Sequence, residues 1–372
     1  MAHLATGKGP YLDLAQTLNR FPIGAPPTKE LYQILKILYS EEEAKLAAQF
    51  PLKPVTFDQL QETVKIEPAN LKSLVESLTQ KALVLDYKRG DQTFYFLTPT
   101  VIGFFEYTFM KRDSDLPLKK LANLMHDYLH KGGMGEEIFG SKTQRARTFA
   151  LESTVTGFGA EVLPYERASE AIREASYGAL TTCFCRHKAR HRGTSCTAPL
   201  DEVCTVMGPA AEFLVRRGYA RKADTLELLE MLDKTEELGL CHIGDNVQQR
   251  VAFICHCCRC CCELLSGNNK LGLRHSVAPS NFVSSVDQEK CTGCKTCLKR
   301  CPVHAISLVK VKQNGRVEER ASVDETICLG CGLCNSVCWQ EALSMDRRAE
   351  PVVTPRNFRE QQMLIASEKG RV

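Results

Sequence analysis

The sequence predicts an α+β protein of several domains. Three observations carry that expectation: capped helical periodicity followed by two short apolar strands in the first 115 residues, helical stretches interleaved with cysteines in the middle, and a tandem run of evenly spaced cysteines near the C-terminus. A length of 372 residues allows two or three domains. The expected boundaries are 1–115, a helical connector at 116–178, a helical Cys-rich domain at 179–278, the cysteine repeat at 279–350 and a tail at 351–372.

The first unit opens with "KELYQILKILYS" behind Thr28, followed by Ser40 and Glu43 in a capping-box relation ahead of a second helix. Thr56 with Gln59 starts a third helix, Pro68 stands in the first turn of a fourth that ends near Ala82, and two apolar strands flank "KRGDQ". Helix, helix, strand, wing, strand resembles a winged helix-turn-helix. Duplex binding would need an excess of cations against phosphate. Between Val55 and Thr98 five Lys and Arg stand against six Asp and Glu, a net of −1, and the would-be recognition helix sets Lys72 and Lys81 against Glu76. The formal charge of the whole chain, +4, is also small. DNA is therefore not the expected partner, and the fold is expected to serve structure or protein docking.

Near the C-terminus Cys291, Cys294, Cys297 and Cys301 precede Pro302 as C-x2-C-x2-C-x3-C-P, and Cys328, Cys331, Cys334 and Cys338 repeat the spacing 37 residues later. "VDQEKCTGC" against "VDETICLGC" and "HAISL" against "EALSM" hold the same offset, which marks an internal duplication. Three cysteines in a tight loop can hold three corners of one cubane while the fourth reaches the other. The segment from Asn281 to Met345 resembles a bacterial two-[4Fe-4S] ferredoxin domain. The resemblance implies two [4Fe-4S] clusters, one on Cys291, Cys294, Cys297 and Cys338 and the other on Cys328, Cys331, Cys334 and Cys301. Two departures stand out. Trp339 replaces a proline, and "VKVKQNGRVEERASV" lengthens the joint, where Asn314-Gly315 reads as the primed turn of a hairpin.

The other 11 of the 19 cysteines all fall between Cys183 and Cys262. Helices are expected at "LPLKKLANLMHDYLHKGG" from Leu116, "PYERASEAIREASYGAL" from Pro164 and "ADTLELLEMLDKTEELGL" before Cys241. The start of the chain shows no basic and apolar leader, so the protein is expected in the cytoplasm, where thiols stay reduced and clustered cysteines serve metals or redox chemistry. Cys183, Cys185, Cys196 and Cys204 are expected as one further cluster ligand set. The dense run "ICHCCRCCC", with Cys255, Cys257, Cys258, Cys260, Cys261 and Cys262, would supply another or share it. On a helical turn Cys258, Cys261 and Cys262 would lie on one face. Zinc, thiol-disulfide exchange and plain structural cysteines stay open for this region. The tract Arg186, His187, Lys188, Arg190, His191 and Arg192 is either a solvated face or a set of cations stabilising thiolates.

"CFCRHK", "SCTAPLDEVC", "GLCHIGDN" and "ICHCCRCCC", ahead of the cysteine repeat and behind the N-terminal helices, together resemble a family of multi-cluster ferredoxin-type proteins of anaerobic prokaryotes. Its members usually carry Asn and Gly where this chain has His256 and Arg259. The resemblance implies electron transfer within larger assemblies, beside redox protein partners or oxidoreductase subunits, and carries no role over to the central cysteines; one or two iron-sulfur clusters beyond the ferredoxin pair are expected from those cysteines themselves. Two other readings stay open: a cluster-sensing transcription regulator, and a reductase acting at an open iron site of the central cluster. No nucleotide-binding loop occurs, no catalytic residue is nameable, and no apolar run reaches the length of a membrane span.

Overall fold

A computed structural model describes residues 9–274, 276–313 and 316–371. The first helices are α1 Pro10–Leu18, α2 Lys29–Leu38, α3 Glu41–Ala48, α4 Phe57–Thr63 and α5 Pro68–Gln80. Their starts follow local chemistry. Thr28 accepts from the Leu31 N–H, capping boxes join Ser40 to Glu43 and Thr56 to Gln59, and Pro68 opens α5, where no N–H is needed. In α2, Leu31, Ile34, Leu35 and Leu38 recur at helical spacing and are buried, each contributing about 2 kcal/mol of apolar burial. Strands β1 Val84–Arg89 and β2 Gln92–Leu97 pair antiparallel around Gly90, whose φ of 61° suits glycine. Helices α6 Phe105–Met110, α7 Leu118–His130 and α8 Met134–Phe139 follow. The buried face of α7, Leu121, Ala122, Met125, Tyr128 and Leu129, joins the core that holds α2.

The central region corrects the expectation of a helical domain. Strands β3 Ala146–Thr148, β4 Gly178–Thr181, β5 Cys204–Met207, β6 Ala220–Ala223, β7 Cys241–Asp245 and β8 Phe253–Cys257 form one antiparallel sheet in the order β3-β7-β8-β5-β4-β6. Helices α9 Ala168–Arg173, α10 Phe184–His191, α11 Gly208–Arg216 and α12 Thr225–Glu237 each lie between two successive strands, β7 leads to β8 without a helix, and α13 Glu263–Leu271 follows β8. Every residue of β5 and β7 is buried, so neither shows the two-residue alternation that marks a half-buried strand. The helix expected from Pro164 to Leu180 likewise stops at Arg173. Gly178–Thr181 becomes an interior strand instead, because its backbone is paired by β5 on one side and β6 on the other. Residues 116–178, expected as one connector, divide: α7 and α8 complete the N-terminal core, whereas β3 and α9 belong with the sheet.

The C-terminal unit pairs β9 Phe282–Val286 with β12 Leu343–Arg347, and β10 Ile306–Gln313 with β11 Arg316–Val323; the short helix α14 Thr296–Arg300 precedes β10. The duplication reaches the backbone: Gly293, Lys295 and His304 have φ of 68°, 68° and 57°, and their equivalents Gly330, Gly332 and Glu341 have 63°, 79° and 49°. Strands β10 and β11 form the hairpin expected in the joint; the Asn314-Gly315 turn lies outside the described residues. A last helix, α15 Phe358–Glu368, inserts Gln361 so that its amide donates to the carbonyls of Gln144, Arg145 and Asn246. Lys369 and Arg371 then pair with Glu137 of α8. On the opposite flank Arg217 pairs with Glu76 of α5 at 2.6 Å and Asp86 of β1 at 3.1 Å. Both contacts bind the N-terminal helices to the sheet.

Candidate metal centre

The dense cysteine run is divided by its secondary structure. Cys255 and Cys257 lie two apart on β8 and share a face, while His256 between them points the other way. The strand ends there. Residues 258–261 turn, and Cys262 is the N-cap of α13. The helical turn expected to align Cys258, Cys261 and Cys262 is not formed. Chain pairing in the sheet, not helical periodicity, decides where each thiol goes.

Six cysteines close into a ring. Cys183, the N-cap of α10, contacts Cys185 in its first turn and Cys204 at the start of β5; Cys204 contacts Cys255, Cys255 contacts Cys257, and Cys257 meets Cys262 at 3.0 Å, which returns to Cys185. All six line one cavity, with Cys258, Phe184, Arg186, His256 and Leu264 also in its wall. Cys183 is held well below the usual thiol value by hydrogen bonds shared with Cys185 and Cys204, and Cys255 comes down to about 6 through Cys204 and Cys257. Burial opposes the same change in Cys262, but Cys185 and Cys257 bring it to about 5. Cys204 and Cys257 are raised by the bonds they share with those neighbours and by burial, and Cys185 by burial first. Acidic and weakly acidic thiols so placed are a preorganised thiolate donor set.

Cys196 does not join Cys183, Cys185 and Cys204, which corrects the ligand set expected from the sequence. It sits with Cys258, Cys260 and Cys261, all four sulfurs within 4.8 Å of one another. The Cys196 and Cys258 sulfurs are 3.6 Å apart, and those of Cys260 and Cys261 are 3.7 Å apart. The missed signal was the loop between α10 and β5, which carries Cys196 away from the sheet while its two ends stay at the ring.

The basic tract serves both uses weighed for it. Arg186, His187 and Lys188 are buried, and Arg190 is exposed. Arg186 donates to the carbonyls of Pro199 at 2.9 Å and His256 at 2.6 Å, and its positive charge acts on Cys183, Cys258 and Cys204. Lys188 pairs with Glu263 at 2.5 Å; burial opposes the Glu263 charge, but Lys188 and His130 overcome it and hold the carboxyl well below its usual range. His242 and His256 stack edge to face, 5.1 Å between ring centres, and share the Thr235 hydroxyl. Burial drops His242 to about 4 and His256 well below its ordinary value, so both rings are neutral at pH 7 and Arg186 is the cation at the ring wall.

In the C-terminal unit Cys291, Cys294, Cys297 and Cys338 line one cavity. Cys301 lies instead within electrostatic reach of Cys328 and Cys331, and Cys334 feels all three. Backbone N–H groups aim at these sulfurs: Ala321 to Cys291 at 3.4 Å, Ala305 to Cys301 at 3.2 Å, Gly330 to Cys328 at 3.4 Å and Ala342 to Cys338 at 3.3 Å. Such donors stabilise cluster-bound thiolates, so these buried and half-buried sulfurs fit the cofactor. Gly330 is required where it stands, since a Cβ there would come within 2.0 Å of the Phe282 carbonyl.

Cys241 was not among the site residues expected from the sequence. Fully buried on β7, it pairs across the sheet with Cys257 and shares a hydrogen bond with Cys331 that raises Cys241 and lowers Cys331. The one signal for it, a cysteine just past a helix, becomes legible only with the register of β7 against β8.

Residues 290–342 match the family described as a 4Fe-4S dicluster domain. No curated protein matches the chain. The C-terminal domain is thus of ferredoxin type, and with the remaining cysteines it supports iron-sulfur electron transfer. No helix among the described residues is long and apolar enough to cross a membrane.

Proposed function

We propose that the chain is an electron-transfer protein with three iron-sulfur sites in sequence: a central site on the six-thiol ring, then the Cys301, Cys328, Cys331 and Cys334 site, then the Cys291, Cys294, Cys297 and Cys338 site. The observation that carries this reading is Cys241, which touches Cys331 on one side and is paired with the ring member Cys257 on the other. It makes the thiols continuous from the sheet to the dicluster domain. Bound clusters would accept and pass single electrons. The chain supplies the rest: buried sulfurs, N–H donors, and the Arg186 charge that favours an added electron.

The partner in this reading is a redox protein or oxidoreductase subunit of the cytoplasm, met near exposed Cys294 and Trp339, beside the outermost site. The winged-helix-like N-terminal segment serves as a docking and structural element. Its support is the engagement of Glu76 and Asp86 by Arg217, which turns the end of α5 and β1 toward the protein's own sheet. A cluster-sensing regulator would need that surface for phosphate.

Anaerobic purification of the full chain followed by iron and sulfide analysis is the test. Iron above the roughly eight atoms of two cubanes is expected, with Cys255→Ala removing the excess. Iron at or below that number, with spectra indifferent to Cys255→Ala, refutes the central site.

A further inference from the structure

We propose that Cys196, Cys258, Cys260 and Cys261 hold a single thiophilic divalent ion, apart from the iron-sulfur clusters. The argument is geometric. A tetrahedral ion with metal-sulfur bonds of about 2.3 Å sets its sulfurs about 3.8 Å apart. The separations of 3.6 Å and 3.7 Å here match that edge, and all four sulfurs fall within 4.8 Å. A cubane binds each thiolate to a different iron, so its ligand sulfurs stand farther apart than those of one ion. The rest of the chain supplies the contrast. Among the described residues no other three His, Cys, Asp or Glu bring their ligand atoms together at this spacing, neither in the ferredoxin repeat nor around the six-thiol ring.

The local sequence fits. Cys258 and Cys261 form a C-x2-C knuckle, the spacing that turns two sulfurs toward one ion. The Cys196 N–H donates to the Cys261 sulfur at 3.4 Å. Zinc is the expected occupant, since it binds such donors more tightly than ferrous iron does. Its consequence is mechanical. Cys196 belongs to the loop whose ends carry Cys185 and Cys204, and the knuckle lies between Cys257 and Cys262, so one ion would clasp both segments that frame the ring.

This site stands independently of the electron-transfer reading, because its test follows a different metal. Zinc and iron are measured in the full-length protein purified anaerobically, with X-ray absorption at the zinc edge. One zinc per chain with four sulfurs at about 2.3 Å is expected. Cys260→Ser, at an exposed position, should lose the zinc and leave inorganic sulfide and the [4Fe-4S] signals unchanged. A single high-spin iron without sulfide at these residues would support the site with the other ion. Loss of inorganic sulfide in Cys260→Ser, or a wild-type protein with neither zinc nor a sulfide-free iron, overturns the proposal.

Discussion

Replacing Arg186 by Gln removes the buried cation that faces both central cysteine groups. The guanidinium is 1 % exposed, is held by the Pro199 and His256 carbonyls, and acts on Cys183, Cys204 and Cys258. If the ring holds the proposed centre, its reduction would add a negative charge there, and the cation would stabilise that added charge. At about 7 Å and an effective dielectric of about 20, one unit charge is worth roughly 2.4 kcal/mol. For a one-electron couple this corresponds to about 100 mV. The shorter, neutral glutamine amide could keep only part of the bonding to the two carbonyls, and leaving one unpaired costs a further 1 to 3 kcal/mol or so in stability. The assay is an anaerobic redox titration of the full chain followed by electron paramagnetic resonance, with circular dichroism to establish folding. The central midpoint should fall by about 100 mV, and the ferredoxin-type midpoints, farther from the charge, should move much less. A folded variant whose central midpoint stays in place or rises would refute the electrostatic role given to Arg186.

Cys301→Ala should damage the signal of the site on Cys328, Cys331 and Cys334 and spare that on Cys291, Cys294 and Cys297; the reverse pattern in the spectrum would show that the fourth ligands are not exchanged. Gly330→Ala, with φ of 63° and a new Cβ 2.0 Å from the Phe282 carbonyl, should lose the Cys328 site, whereas Gly272→Ala, with φ of 69° and no atom within 4 Å, should cost only about 1 kcal/mol of stability in a denaturant titration. The full chain should show no sequence-specific duplex binding in a gel shift at about 100 mM salt; a specific complex at sub-micromolar protein would reverse the docking assignment of the N-terminal segment.

Much of this architecture is legible without coordinates. The capping boxes at Ser40 and Thr56, the Pro68 start and the hairpin across Gly90 are settled between residues a few positions apart, and the structure forms them where those residues stand. The repeat is legible for the same reason: C-x2-C-x2-C is a local loop, and its left-handed positions recur 37 residues on even where Lys295 and Gly332, or His304 and Glu341, differ in side chain. The central cysteines are another matter. The sequence shows that 11 thiols lie together, but their division into a ring, an outer four and the bridging Cys241 depends on β8 lying between β5 and β7 and on Cys241 standing opposite Cys257. Neighbours in the chain part there, with Cys258 but not Cys257 grouped with the outer cysteines, and residues as distant as Cys196 and Cys258 meet. Sequence alone determined the elements and ligand loops whose geometry is closed by short-range bonds; strand register and the side each residue faces are set by burial across the whole sheet, so only the tertiary structure could decide which sulfurs share a centre.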